Sequence, residues 1–470
     1  MKEKRIRQEK NFTETPVWKA IAAFGGPSVA VILVMILYNM ADMFFVGMTG
    51  DTAQVAAVSL ASPVFSIAMA LGAMIGGGAS ILVSAGLGKK DYSAVRTYSA
   101  VTAWWALFIG LILSFVVFLI REPLVYAIGA NDEIFPYAVS YAGILCTGMP
   151  AMIFTISVGN IVRAEGAIKE SFIGSILPTG INLVLDPLFI IHFGMGVPGA
   201  AIATVAANYV GLAYYLIYFF RGKTACTLSF KAFLEAPLSI SRIILLGFPT
   251  AISTLLGGFS SAIANRFLVA YGTKAVAAMA AAGKAGYIVG MINIGLVQGL
   301  QPLISYNHGA GNIKRLKEVL RDLSILTILI GTVSLVFCEI RGDLIVKLFL
   351  KEVSALSLGT QMVRILILTA PIVGLYNISV TYLQATEKAG RAVVLSAVRQ
   401  GLALVPCLFI MNYFFGIFGN VWAQIAADCI STALAGILAL HVLHADTGIQ
   451  TGTDTSEVTP GSAQETIDTH

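Results

Sequence analysis

Twelve apolar segments follow one another from residue 20 to residue 443, with only short polar breaks between them. No other feature restricts the fold as tightly. About 20 apolar residues are what a helix needs to cross the hydrocarbon core of a bilayer, and helices satisfy their own backbone hydrogen bonds in lipid. The segments lie near 20–47, 53–87, 94–120, 134–160, 171–193, 198–220, 243–271, 276–306, 322–340, 358–384, 392–414 and 418–443. Several exceed the minimum, so those helices must tilt, bend or project into water. Only 12% of the 470 residues are charged, against about 25% in a soluble domain. The predicted fold class is therefore an all-α polytopic membrane protein with 12 transmembrane helices.

Charge orients the helices. Of 30 Lys and Arg, 22 fall at the N-terminus or in the breaks at 88–96, 163–169, 221–242, 308–321 and 387–399; five fall in the opposite set. The positive-inside rule then puts both termini and the 221–242 connection in the cytoplasm of a bacterial cell. Arg266, Lys284 and Arg364 lie within helices. The basic start leads into an apolar run too long for a signal peptide. A net charge of +5 is thus read through membrane orientation, not nucleic-acid binding. The five cysteines form no C-x-x-C pair, which argues against a disulfide framework or a zinc site.

The chain also repeats itself. Gly86 and Gly88 fall on Gly309 and Gly311 at an offset of 223, and Pro150…Arg163-Ala164 matches Pro371…Gln384-Ala385 at 221. Two sets of six helices have the same orientation, so a pseudo-twofold axis along the membrane normal should relate them. The expected divisions are a cytoplasmic segment 1–19, an N-lobe 20–222, a linker 223–239, a C-lobe 240–444 and a disordered tail 445–470. At the offset of 223, Asp42 falls on Asn265; near 221, Asp186 falls on Cys407. Acidic chemistry is expected in the N-lobe.

Asp42 is the most costly residue of the first segment. A carboxylate inside such a run costs roughly 2.5–3.5 kcal/mol on insertion scales, and such residues usually have a partner, a cavity or a task. Depth gives it companions. Asp186 lies about seven residues inside the outer end of segment 5, Asn182 one turn below it, and Thr204 about six residues into segment 6. All four share a depth of very roughly 7–17 Å from the outer face. Two carboxylates in one low-dielectric cavity do not both ionise easily without a cation. Oxygen from Asp, Asn and Thr suits a proton or Na⁺.

The order of short motifs resembles the MATE (multidrug and toxic compound extrusion) family. Its carriers are Gly26-Pro27, Asn39-x-x-Asp42-x-x-Phe45-Val46-Gly47, Arg163-Ala164-Glu165-Gly166, Asn182-x-x-x-Asp186-Pro187 and Gly199-Ala200-Ala201-Ile202-Ala203-Thr204. The resemblance spans residues 15–443. It implies two six-helix bundles and alternating-access efflux of amphipathic, often cationic, drugs and dyes in exchange for H⁺ or Na⁺. It further implies that Asp42, Asn182, Asp186 and Thr204 form an N-lobe cation site of the DinF type, and that the first helix bends about Pro27. One departure stands out: segments 7, 8 and 10 carry no deep acid of the NorM type.

Met35, Tyr38, Asn39, Asn160, Tyr287 and Met291 are candidate substrate-cavity residues. Phe65, Met69, Met149 and Phe154 are similar in kind, and each alone is better read as packing. Beside the resemblance, the sequence favours an ion pair or cap between Glu165 and Arg163, an inter-helix hydrogen bond for Asp428, and close helix packing at Gly76-Gly77-Gly78. His441 and His444 read as surface residues. No cofactor is expected beyond the coupling ion, and the expected partners are drugs and lipid, with the protein a monomer. An alternative reading is a lipid-linked oligosaccharide flippase of the same superfamily, which would need a strongly basic cavity. The absence of H-E-x-x-H, a nucleophile elbow and G-x-x-x-x-G-K-[ST] argues against an enzyme or an ATP-driven pump.

Overall fold

The computed structural model describes residues 12–48, 51–222, 224–347 and 353–453, with side chains described except at 38–43, 52, 61–62, 285, 353–354 and 445–453. The first six long helices are α1 (Val17–Gly47), α2 (Thr52–Gly88), α3 (Tyr92–Ile128), α4 (Phe135–Ala164), α5 (Ile168–Pro187) and α6 (Val197–Phe220). A short α7 (Phe230–Glu235) lies in the connection. The second half has α8 (Ile240–Val269), α9 (Thr273–Gly309), α10 (Ile313–Lys347), α11 (Val353–Leu366), α12 (Ala370–Ala385), α13 (Ala389–Ala397), α14 (Leu404–Phe415) and α15 (Gly419–Thr453). No strand occurs among the described residues.

Among the described residues, eleven runs are long and apolar enough to cross a membrane, the last covering 56 residues from Ala389 to His444. That run reverses at Gly416 (φ +55) and so contains two passes. Twelve passes result, with boundaries close to those expected. Helices extend beyond the apolar runs because adding a residue to an existing helix is far cheaper than nucleating one. α15 illustrates this: its backbone stays helical to Thr453, into the tail expected to be disordered.

The repeat is visible in the turns. Lys90 (φ +59) ends α2 and Gly311 (φ +69) ends α9; Gly166 (φ +84) ends α4 and Glu387 (φ +60) ends α12. Each turn closes with the same pair of backbone bonds, as when Asp91 N donates to Gly86 O at 2.8 Å and Asn312 N to Asn307 O at 2.9 Å. These turns match at an offset of 221, two fewer than the glycine-to-glycine match in sequence. Pro27 of α1 and Pro249 of α8 match at 222, which moves the mate of Asp42 from Asn265 to Ala264. Backbone geometry fixes the register, and the glycine match missed it because Lys90 takes a left-handed turn without being glycine.

The pseudo-twofold axis exchanges α1 with α8 and α2 with α9. Accordingly α1 packs on α9 and α8 packs on α2. The closest approaches between lobes lie toward the end carrying the interlobe connection, called here the linker end. A Cβ at Gly78 would overlap the Ile243 carbonyl, and one at Gly88 the Tyr306 carbonyl. Gly247 against Met74 and Gly309 against Ala85 repeat the arrangement from the other lobe. Of the expected glycine run, Gly78 makes such a contact, Gly76 packs against Ser157 and Asn160 of α4 within its own lobe, and Gly77 faces open space.

The connection between lobes is not a loose tether. Trp104 Nε1 donates to Leu228 O at 3.1 Å and Trp105 Nε1 to Pro237 O at 3.0 Å, while Thr227 N donates to Ser99 Oγ at 2.9 Å. Phe233 completes a buried cluster with Val101, Ile243 and Leu246. Buried apolar area at roughly 25 cal/mol per Å² holds the segment down. The stretch preceding α1 is docked as well: Phe12 is 1% exposed and stacks on Tyr306, and Arg315 Nε donates to Phe12 O at 2.7 Å.

Candidate functional site

Three of the four expected cation-site residues come together in the N-lobe. α5 and α6 approach closely where Gly211 accommodates the ring of Pro178. The start of α6 is fixed by α2, since Val197 N donates to Gln54 Oε1 at 3.1 Å. Asn182 (2% exposed), Asp186 (0%) and Thr204 (5%) then share one buried locus. With its amide in the orientation that satisfies both neighbours, Asn182 Nδ2 donates to Asp186 Oδ2 at 2.7 Å. Its Oδ1 accepts from Thr204 N at 3.0 Å and from Thr204 Oγ1 at 3.2 Å.

The arrangement follows from local structure. Asn182 and Asp186 are four residues apart on α5 and so lie on one face. Pro187 ends the regular α-helix, and a π segment (Leu188–His192) continues it, with Phe193 N donating to Leu188 O at 2.9 Å. Asn208, one turn beyond Thr204, donates from Nδ2 to Thr204 O at 2.8 Å; it was not among the expected site residues. Thr204 and Asn208 border a cavity of about 10 Å³, the space of a single water, together with Phe65, Gly148 and Met149.

α1, the helix bearing Asp42, packs along α5, the helix that carries Asn182 and Asp186. Asp42, Tyr38 and Asn39 are helical in backbone, and their side chains lie outside the described residues. Pro27 lies within one unbroken α1, where Ser28 Oγ donates to Phe24 O at 3.0 Å. Asn160 sits on α4 near Gly76 and accepts a short hydrogen bond from Arg163 Nη2, while Arg163 Nη1 donates to Ser28 Oγ at 3.3 Å. It belongs to a linker-end polar contact between α4 and α1. Met35 and Met291 are half-buried and Tyr287 is half exposed on α9. Phe154 (1% exposed) and Met149 (2%) are core residues.

Of the ion pair or cap expected at Glu165, the residue occupies the C-cap position of α4, while the described contacts of its carboxylate do not include the Arg163 side chain. The buried carboxylate accepts a short hydrogen bond from Tyr218, one from Thr224 Oγ1 at 2.6 Å and one from Ala225 N at 3.0 Å. It therefore ties the α4 turn to the interlobe connection. Burial pushes its pKa above the ordinary carboxylate value, against the pull of these donors.

Asp428 has the expected inter-helix bond, and it also has a partner that charge counting misplaced. Arg399 was assigned to a cytoplasmic break, yet it lies ten residues inside the α13–α14 pass and pairs with Asp428 at 2.8 Å. A single Arg in an apolar stretch reads like a helix end unless its buried acid is known. Arg364 pairs with Glu339 at 3.9 Å, and Arg266 and Lys284 are exposed. His441 and His444 are exposed, and no cluster of three or more His, Cys, Asp or Glu that could hold a metal occurs among the described residues.

A twelve-pass helical protein of two like lobes, with buried polar side chains inside its helical bundles, has the architecture of a secondary transporter. The MatE family model matches residues 27–188 and again 249–410, one copy per lobe, and the chain belongs to that family. It is a multi-pass membrane transporter and not an enzyme. It is 30% identical over 452 residues to the multidrug export protein MepA of Staphylococcus aureus (strain NCTC 8325 / PS 47), covering 96% of this chain and 98% of that protein. A MATE transporter solved in complex with MaL6 superimposes with a TM-score of 0.88 at 21% identity, covering 93% of this chain and 99% of that one. An outward-facing multidrug resistance MATE transporter of the MOP superfamily gives a TM-score of 0.87 at 21% identity, over 93% and 98% of the two chains.

Proposed function

We propose that this protein is a multidrug efflux antiporter, exporting amphipathic, often cationic, organic compounds in exchange for H⁺ or Na⁺ by alternating access. The observation that carries the reading is the buried Asn182–Asp186–Thr204 set beside α1. Carboxylate, amide and hydroxyl oxygens are the ligands a proton or a hard monovalent cation requires, and a buried carboxylate gains most from such a cation. Asp42 is assigned to the same site as a further ligand, from its depth in α1. The name of the Staphylococcus relative supports drug export as the activity.

The linker end is assigned to the cytoplasm, with both termini, because most Lys and Arg lie there. The bacterial plasma membrane is the corresponding location. In this orientation the interlobe contacts at Gly78, Gly88, Gly247 and Gly309 close the cytoplasmic side. Cation arrival from outside at Asp42 and Asp186 would then favour drug release, with Pro27 as the bending point of α1. The flippase alternative lacks support, because Arg364 is matched by Glu339 and no basic cluster faces the N-lobe locus among the described contacts.

The test is dye efflux from proteoliposomes, with pH and Na⁺ gradients imposed separately. Asp186→Asn and Asp42→Asn are each expected to abolish gradient-driven efflux while the purified protein stays folded. Efflux at the unsubstituted rate in both variants would overturn the coupling role.

A further inference from the structure

The C-lobe buries a carboxylate that this exchange does not use. Asp428, on α15, is 3% exposed, and its described contacts are all with donors. Arg399 Nε donates to Oδ1 at 2.8 Å, Gln424 Nε2 to the same oxygen at 3.1 Å, and Thr369 Oγ1 to Oδ2 at 3.0 Å. The guanidinium of Arg399 also lies over the ring of Tyr376, 4.8 Å from its centroid. Four helical stretches thus converge on one ion pair whose side chains are 15% and 4% exposed.

The ligand chemistry matches that of the N-lobe locus. Each lobe supplies a buried carboxylate, an amide four residues before it on the same helix, and a threonine hydroxyl from another helix: Asp186, Asn182 and Thr204 in one, Asp428, Gln424 and Thr369 in the other. At the Gly196–Gly416 register of 220, Asp428 falls on Asn208 and Gln424 on Thr204, so the C-lobe acid sits on the other helix of the hairpin. The C-lobe set includes a positive charge that is part of the chain. Arg399 lies in a π segment (Val398–Leu402), closed by Ala403 N donating to Val398 O at 2.8 Å. Such insertions often mark functional positions in helices.

We propose that Arg399 is the resident counter-ion of a C-lobe monovalent-cation site, a guanidinium held where an exchangeable cation would otherwise sit. Asp428 therefore takes no part in ion exchange, and the number of coupling ions is set in the N-lobe. The second statement rests on the antiport reading; the first concerns the C-lobe alone. An Arg cannot leave or be deprotonated at physiological pH, so the site is permanently filled.

The experiment counts cations on purified protein in lipid nanodiscs, by equilibrium binding of radioactive sodium and by proton uptake in parallel. Arg399→Gln keeps a donor near Asp428 but removes the charge. It is expected to bind one more sodium ion or proton per molecule than the unsubstituted protein. Adding Asp428→Asn to that variant should remove the extra ion, and Arg399→Lys should match the unsubstituted protein. Asp428→Asn alone should also leave the count unchanged. No gain in Arg399→Gln, or a loss in Asp428→Asn, overturns the proposal. Should Arg399→Gln not fold, the Asp428→Asn count decides: unchanged supports the proposal, one fewer ion overturns it. If the unsubstituted count does not fall in Asp186→Asn, the antiport reading fails while the Arg399→Gln comparison still tests the C-lobe.

Discussion

The two lobes share left-handed turns, prolines at matching positions inside their first helices and a reciprocal pair of packing contacts, and they differ in how each treats a buried acid. In the N-lobe, Asp186 is held by a neutral amide that also binds Thr204. In the C-lobe, Asp428 is held by a guanidinium. The difference shows that a repeat can conserve a scaffold while its two copies give a buried acid different partners.

The largest effect that would sharpen this comparison is on stability. Asp428→Ala leaves Arg399 buried without its carboxylate, an expected cost of about 3–5 kcal/mol, because an uncompensated buried charge forfeits its hydration. Asp186→Ala should cost clearly less, since a buried carboxylate held by a neutral amide already bears part of its desolvation penalty. Apparent melting temperatures in detergent would rank the two, and equal losses would erase the distinction between lobes.

A smaller contrast lies at the interlobe contacts. Gly25 and Gly247 are repeat mates at the offset of Pro27 and Pro249. A Cβ at Gly247 would run into the Met74 backbone, while one at Gly25 meets only the end of the Leu296 side chain. Gly247→Ala should therefore carry an overpacking penalty of about 1–3 kcal/mol and shift molecules toward an open linker end, with Gly25→Ala nearer to neutral. Spin labels at Lys89 and Lys314 would report the separation; the same distance distribution in both variants would count against a tight seal at Gly247.

The smallest effect is a pH slope confined to one lobe. Glu165 and Thr386 are mates at the offset of 221; the former buries a carboxylate, while Thr386 Oγ1 donates to Tyr382 O at 3.0 Å. Because burial raises the Glu165 pKa, the folded protein holds that proton to a higher pH than the unfolded chain. Its stability contribution is present below the ordinary value of 4.5 and is lost as pH rises through the raised folded value. Glu165→Gln should flatten that part of the stability–pH curve, as followed by melting temperature, whereas Thr386→Val should leave the slope in place.

Helix number, helix boundaries and the twofold repeat were legible because membrane burial demands long apolar runs, and a length requirement is written directly in sequence. The shared depth of Asn182, Asp186 and Thr204 was legible too, since rise per residue converts position into height. Rotation about the helix axis and the pairing between distant helices were not. An ion pair of Glu165 with Arg163 was expected because the two lie two residues apart, yet the partners of its carboxylate, Tyr218, Thr224 and Ala225, lie more than 50 residues away. Arg399 looked like a helix end because an isolated charge is costly in lipid, and the acid that offsets the cost is 29 residues further on.

Sequence alone thus determined that this is a polytopic helical membrane protein, its passes and the depth of its buried acids, because those depend on one-dimensional transfer free energies and on rise per residue. The tertiary structure decided which acid meets a neutral amide and which meets a guanidinium. That choice depends on which helix faces are brought together, and only packing sets it.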